Sequence, residues 1–411
     1  MRPTLPESWK WCHLDDVATV QTGLALGRKD LKDAVERPYL RVANVQDGYF
    51  DLREVKTVRV ERSKVARHSL RYGDVLLTEG GDFDKLGRGH IWRDEVAECL
   101  HQNHVFAVRP DDSVLLPEYL AAITSGPWGR AYFLGCSKQS TNLASINSTQ
   151  VKEMPLPLPP LDEQSQIVDR LTQFDEASTC LEELTEHRRQ YLRGLMQQLL
   201  TGRRRLPAFA GEAWDEDHLG DLFGERAETG RADLPLLSIT AERGVIPREE
   251  IERKDTSNAD KSKYKRIAPG DIGYNTMRMW QGVSALSSLE GIVSPAYTIC
   301  IPGPKVDGRF ARWFFKFPRV VNLFYRYSQG LVDDTLNLKY PHFAEIKVSV
   351  PTLLDEQRAI ADILDTAQRE IELREQLREQ IQLQKRGLMQ KLLTGEIRVP
   401  ADEPVTEEVS T

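Results

Sequence analysis

The chain has 411 residues, 40% hydrophobic and 28% charged, with a net charge of −7, which implies two or three domains with real cores rather than a disordered polymer. No apolar run approaches the ~20 residues of a membrane span, and Met1-Arg2-Pro3-Thr4-Leu5-Pro6 does not open a signal peptide. Five scattered cysteines (Cys12, Cys99, Cys136, Cys180, Cys300) without a C-x-x-C pair exclude structural zinc and a disulfide framework, and point to a reducing cytoplasm.

Residues 1–154 alternate short β-rich runs with turn signals, as in Tyr39-Leu40-Arg41-Val42, Asp74-Val75-Leu76-Leu77 and Val105-Phe106-Ala107-Val108. A helical stretch follows at 117–133. Residues 155–207 open with Pro155, Pro157, Pro159 and Pro160, which bar helix, and then read as one long helix from 161 to 201 ending at Gly202. Residues 208–347 return to short strands, such as Tyr297-Thr298-Ile299-Cys300, with helix at 310–327. Residues 348–402 form a second long helix, with Thr352 and Asp355 spaced as a capping box and Gly395 at its end. The class expected is α+β, with a twisted sheet and helices on one side of it in each divergent domain. Residues 403–411 are an acidic tail, and 348–411 hold most of the excess charge, 13 acidic against 8 basic.

The two long helices are copies. Leu161-Asp162-Glu163-Gln164 returns as Leu354-Asp355-Glu356-Gln357, Arg193-Gly194-Leu195-Met196-Gln197 as Arg386-Gly387-Leu388-Met389-Gln390, and Leu199-Leu200-Thr201-Gly202 as Leu392-Leu393-Thr394-Gly395. Residues 161–207 and 354–400 align without a gap, with 21 identities in 47 positions. Upstream, Gly73-Asp74-Val75 faces Gly270-Asp271-Ile272 at a different offset. The apolar stripes predict that each helix covers the other: Ile167, Leu171, Phe174, Leu181, Leu184, Leu192, Leu195 and Leu199 in one, Ile360, Leu364, Ala367, Ile371, Leu377, Ile381, Leu388 and Leu392 in the other. A seam alone fixes apolar positions, yet polar ones repeat too. Gly194 and Gly387 each cost a helix interior about 1 kcal/mol relative to alanine, so close backbone approach is expected there. The stretches Arg193, Gly194, Leu195, Met196, Gln197 and Arg386, Gly387, Leu388, Met389, Gln390 therefore read as twin docking sites for one partner. Internal duplication alone is the competing account.

Each divergent domain carries a basic run before its Gly-Asp turn: Arg53, Lys56, Arg59, Arg62, Lys64, Arg67 and Arg71 in the first, Arg253, Lys254, Lys261, Lys263, Lys265 and Arg266 in the second. Such runs are often merely solvated faces, but two at matching positions favour phosphate contact. The loops that follow hold Lys85, Arg88 and His90 in one domain, and Asn275, Arg278, Trp280 and Gln281 in the other. Arginine pairs with guanine, and asparagine or glutamine with adenine, so these are candidate base readers. Lys138, Ser140, Thr141, Asn142 and Gln329 occupy later loops at matching positions.

No phosphate-binding Gly-x-x-x-x-Gly-Lys loop, metalloprotease helix, nucleophile elbow or aminomethyltransferase motif occurs. No catalytic residue and no metal ligand is assigned. Glu345-Ile346-Lys347 and Glu252-Arg253-Lys254 satisfy only the Glu-x-Lys fragment of nucleases.

Pro-Leu-Pro-Pro-Leu-Asp-Glu-Gln at 157–164, the twice-occurring Leu-Met-Gln-x-Leu-Leu-Thr-Gly and the two divergent domains together resemble the specificity subunit of type I restriction–modification enzymes. The resemblance implies two globular target-recognition domains separated by two long helices packed as an antiparallel coiled coil, with a pseudo-two-fold internal repeat. It implies double-stranded DNA and two methyltransferase subunits as partners, with motor–nuclease subunits completing a restriction complex. S-adenosylmethionine, ATP and Mg would belong to those subunits and none to this chain. A methylation-only or other phage-defence complex without the motor, and a self-sufficient nuclease, are the alternatives.

Overall fold

The computed structural model describes residues 4–27, 31–81, 83, 86–139, 144–251, 260–332 and 335–399. The chain divides into two compact units. One is formed by residues up to Leu181 together with those from Leu377 onward, the other by Glu182–Gln376. Each long helix, Leu161–Leu199 and Leu354–Leu393, therefore begins in one unit and ends in the other.

In the first unit a four-stranded antiparallel sheet runs in the order Ala18–Thr22, Val105–Pro110, Val75–Thr78, Gly89–Ile91. Its central strand Val75–Thr78 is buried throughout, as a strand covered on both faces must be, which is why it reads as a continuous apolar run. A three-stranded sheet of Lys56–Glu61, Ala34–Leu40 and Leu100–His101 lies in the same unit. Lys10–His13 pairs with Pro155–Leu158 immediately before the first long helix. That pairing has only two strands, the edge setting in which prolines without N–H donors are tolerated.

The second unit repeats the plan. Its four-stranded sheet runs Phe223–Glu225, Tyr297–Pro302, Ile272–Asn275, Ser284–Leu286, and Trp214–His218 pairs with Lys347–Pro351 before the second long helix. The mixed α/β class is as expected, but neither unit has a single twisted sheet. Short strands punctuated by turns form several small sheets instead. The predicted helices at 117–133 and 310–327 are also each two: Pro117–Ser125 and Pro127–Cys136, then Gly308–Phe314 and Pro318–Tyr327. The breaks fall at Gly126 and Phe317, held extended because each precedes a proline.

The cores differ in texture. Leu14, Leu77, Leu115, Leu120 and Ile123 dominate the first, with Phe106 and Phe133. Phe223, Phe315, Phe324 and Phe343 form an aromatic cluster in the second, with ring centroids 5.2–6.2 Å apart, and Phe310 stacks on Phe314. Both cores take helix residues from both copies: Ile167, Leu171, Leu392 and Leu393 in the first, Leu192, Leu199, Ile360 and Leu364 in the second. Within each unit the two helix segments run in opposite directions. In the first, Asp175 pairs with Lys385 at 2.5 Å and Arg398 with Glu163 at 2.9 Å. In the second, Arg189 pairs with Glu375 at 2.5 Å and Arg205 with Glu356 at 2.7 Å.

Two expectations fail here. Leu184 and Leu377, counted in the buried stripes and identical between the copies, are 47% and 51% exposed. Heptad spacing finds an apolar face but not the stretch along which another helix covers it. The Thr352 hydroxyl donates to the Ala213 carbonyl at 2.8 Å, tying strand to strand rather than capping the helix with Asp355. Among the described residues no helix is long and apolar enough to cross a membrane.

Candidate nucleic-acid interface and helix surface

The repeated polar residues fall into two groups, and the first is explained within the chain. Gln164 is fully buried; its amide donates to the Val114 and Pro159 carbonyls at 2.8 and 2.9 Å and accepts from the Leu116 amide at 2.8 Å. Gln357 does the same, donating to Lys305 and Pro351 and accepting from Asp307. Each glutamine thus pins the start of its long helix to the loop that launches the helices of its own unit. The preceding glutamate is an anchor for the other copy's end. Glu163 receives both Arg398 guanidinium bonds at 2.9 Å and the Trp9 indole N–H. Glu356 receives Arg205 at 2.7 and 2.8 Å, while that guanidinium also lies over Trp214 and bonds the Phe209 and Glu212 carbonyls. Gly202 and Gly395 end the helices at φ of 66° and 71°, the left-handed conformation that a C′ glycine adopts freely.

The second group is accounted for only in part: Leu195 and Met196 pack on the core of the second unit, and Leu388 and Met389 on that of the first. Arg193, Gln197, Arg386, Gly387 and Gln390 are exposed, and Leu195, Met196, Leu388, Met389 and Gly194 are half-buried. A Cβ added to Gly194 or Gly387 would meet nothing within 4 Å, so the close backbone approach expected there does not occur within this chain. Arg193 bonds Glu186 at 2.9 Å. Leu184 and Leu377 lie exposed on these same helices, each ten residues before the glycine.

The candidate DNA contacts are only partly brought together. In the first unit's basic run, Arg53 is held by Asp51, Arg62 by Asp33 and Lys64 by Glu61. Arg59, Arg67 and Arg71 make no ion pair among the described residues. Arg59, Lys64, Arg67 and His68 line one side of a groove whose other wall is Gly23–Gly27. Arg88 is half-buried and reaches the Val42 carbonyl at 3.4 Å. His90 packs against Phe50 with centroids 5.6 Å apart, and burial lowers its pKa. Both read as packing residues before base readers. Lys138 is exposed. Lys85, Ser140, Thr141, Asn142, Arg253 and Lys254 lie outside the described residues.

In the second unit Lys261 sits over the Tyr264 ring at 4.6 Å, Lys265 pairs with Glu225 at 3.7 Å, and Lys263 is exposed. Arg266 is held by Glu228 and Glu290. Asn275, Arg278, Trp280 and Gln281 share one turn after Ile272–Asn275. The Asn275 side chain caps the Met277 amide at 3.0 Å and Trp280 donates to the Met277 carbonyl at 3.0 Å, leaving Arg278 and Gln281 exposed. Gln329 is backbone-paired with Asn337, and the Leu338 amide bonds Thr276, which joins that loop to the same turn. Of the nuclease fragment, Lys347 is taken by Glu216 at 2.6 Å. Among the described residues no group of His, Cys, Asp or Glu could hold a metal ion.

Sequence reasoning missed the carboxylates beneath both Gly-Asp turns. Asp74 is bound by Arg109 through two bonds of 2.7 Å, and Asp271 by Arg226 at 2.7 and 3.0 Å. The turn itself was visible; its arginine is remote in sequence. Arg205 and Arg398 occupy matching positions in the gap-free repeat of 161–207 and 354–400, but local spacing does not name their partners.

With this arrangement in view, the family model for the type I restriction modification DNA specificity domain matches residues 6–187 and 328–383. The chain belongs to that family. A protein named for the MjaX type I restriction enzyme specificity subunit of Methanocaldococcus jannaschii is 26% identical over 418 residues, covering 96% of this chain and 95% of that one. The EcoKI specificity subunit of Escherichia coli is 26% identical over 240 residues, 56% of this chain and 48% of that protein. The fold is similar to the crystal structure of the HsdS subunit from Thermoanaerobacter tengcongensis, with a TM-score of 0.53 at 15% identity, covering 96% of this chain and 99% of that one. A chain from a structural study of complex assembly and conformational transition in the type I system matches with a TM-score of 0.62, again at 15% identity, covering 96% and 100%.

Proposed function

We propose that this chain gives a type I restriction–modification complex its DNA specificity without catalysing any step itself. The recognition domains, residues 1–154 and 208–347, would each read one half of a split target. The helical segments, 155–207 and 348–402, would pack as an antiparallel coiled coil and set the distance between the halves. At 1.5 Å per residue a 39-residue helix is about 58 Å long. DNA has local two-fold axes of its own, so a chain with an internal two-fold can address two half-sites as a homodimer would. Two methyltransferase subunits, carrying S-adenosylmethionine, would dock at the twin Arg-Gly-Leu-Met-Gln stretches, and motor–nuclease subunits would complete the complex.

The observation that carries the docking is the contrast within the repeat. Glutamate, glutamine and terminal arginine are each matched by a bond inside the chain, whereas Gly194 and Gly387 face open space and Leu184 and Leu377 are exposed. Identity kept without an internal contact suits an external one. Light scattering of the chain with its methyltransferase should give two methyltransferases per chain. Gly194→Leu or Gly387→Leu should reduce that to one, with thermal stability held, because a Cβ at either position meets nothing within 4 Å in the free chain. Full assembly in both variants would remove the docking role.

A further inference from the structure

The turn that carries the candidate readers Arg278 and Trp280 packs on the helix Pro318–Tyr327, and the Tyr325 ring on that helix, which the base-reading account above does not use, completes an aromatic and cationic surface. Trp280 and Tyr325 meet edge to face, with ring centroids 6.1 Å apart and planes at 61°. Tyr325 and neighbouring Met277 are exposed. The surface is held firmly from below. Met279 is wholly buried, the Trp280 indole N–H is spent on the Met277 carbonyl, and Gly282 at φ 77° lets the turn press onto the helix Pro318–Tyr327, where a Cβ would lie 3.0 Å from Val321. Arg278 on the turn and Arg319 and Arg326 on the helix are exposed and make no ion pair among the described residues. Residues 274–282 and 316–329 contain no aspartate or glutamate.

A fixed ring face with its N–H already satisfied has stacking to offer and little hydrogen bonding. Base pairs inside a duplex show their edges to a protein, not their faces. A face becomes available only when a base leaves the stack, and aromatic side chains flanked by arginine then bind it without regard to sequence. The positive, acid-free surround suits the phosphates on either side of such a base.

The geometry points to Trp280 and Tyr325, with Arg278 and Arg326, as a stacking site for an unstacked base in the DNA half-site read by this unit. This rests on the DNA-reading function proposed above. It also makes the two units unlike, since the loop in the first unit, residues 78–90, carries Glu79, Asp82 and Asp84.

The test uses the full chain with its methyltransferase and a mapped target duplex in which 2-aminopurine replaces each base of the half-site in turn. At one position the wild-type complex should show a probe that has left the duplex stack yet remains quenched by an aromatic ring. Trp280→Ala or Tyr325→Ala should brighten that position several-fold, and Trp280→Phe should restore the quenching. Affinity for the duplex reports separately. If every variant binds and no position changes, the stacking site is wrong and the DNA-reading function stands. If the wild-type complex shows no preference for any sequence, the function itself fails. A fall in methyltransferase stoichiometry in Trp280→Ala, with the aminopurine signal unchanged, would overturn the assignment by making this a protein interface.

Discussion

The two units are built on one plan and diverge where that plan meets solvent. Both place the Gly-Asp turn before the third strand in their sheet order. In each, a glycine at φ of 88° or 92° is the third residue of a four-residue turn whose ends bond at 3.0 Å, and the aspartate returns to cap the turn's first amide at 2.8 Å. Each aspartate is then neutralised by a paired guanidinium. Yet Arg109 comes from the neighbouring strand Val105–Pro110, and Arg226 follows the edge strand Phe223–Glu225. The same electrostatic requirement is met from different positions in the chain. What must be preserved is a charge at a place in the fold, whereas the glutamines at the helix starts keep identity, position and all three bonds.

The largest effects should come from removing these buried groups. Asp74→Ala and Asp271→Ala each leave an arginine facing a vacated, largely buried site, and each should cost about 3 kcal/mol in urea unfolding. Hydrogen exchange should place the loss in the unit that was altered. Gln164→Ala and Gln357→Ala each strand two carbonyls and one amide, for about 2–3 kcal/mol. Because their bonding is the same, the two costs should agree within about 1 kcal/mol. A wide disagreement would mean that the matching bonds sit in frameworks of different rigidity.

The elements and their periodicity were legible in the chain because they are local. Pro155, Pro157, Pro159 and Pro160 announce where helix cannot begin, and Gly202 and Gly395 where it ends. The internal repeat was legible because both copies are in view. Pairings such as Glu163 with Arg398 were not, since local spacing carries no record of which distant side chain fills a buried site. Basic runs misled in the opposite direction. Arg53, Arg62 and Lys64 look like phosphate ligands in sequence, but Asp51 and Glu61, two and three residues away, and the more distant Asp33 already hold them. The candidate readers Asn275 and Trp280 were found by residue type, while their rigid turn depends on Gly282 meeting Val321, which type alone does not reveal.

Acid should separate the units. His101 is fully buried on Leu100–His101; its Nδ1–H donates to the Val105 carbonyl at 2.7 Å, and Nε2 has no partner among the described residues. Burial pushes its pKa down from 6.5 to about 4. In the unfolded chain this histidine takes up a proton below pH 6.5, whereas in the fold it stays neutral until about pH 4. The unfolded state therefore binds more protons across that window, and stability falls as pH drops, by up to about 1.4 kcal/mol per pH unit. No histidine of the second unit is buried among the described residues. Hydrogen exchange at pH 5 should show the first unit loosening ahead of the second, and His101→Gln should reduce the difference, leaving the smaller share due to His68 and His90, whose pKa values burial also lowers. Equal loosening would place the acid sensitivity elsewhere.

The smallest predicted effect distinguishes free cations from occupied ones in the first unit's basic run. Arg53 is bonded to Asp51 at 2.6 and 2.9 Å, and that guanidinium holds the Asp51 carboxyl down at about 2. The pair is neutral as a unit, so it displaces no counterion unless it first breaks. Arg67, exposed beside the groove, has no such partner among the described residues. Each phosphate neutralised contributes about 0.9 to the slope of log affinity against log salt. Arg67→Ala should therefore lower the slope by about 1, while Arg53→Ala leaves it nearly unchanged. Equal changes would show that Arg53 releases Asp51 on binding, which makes the ion pairs of the run a reserve of phosphate ligands rather than a spent one.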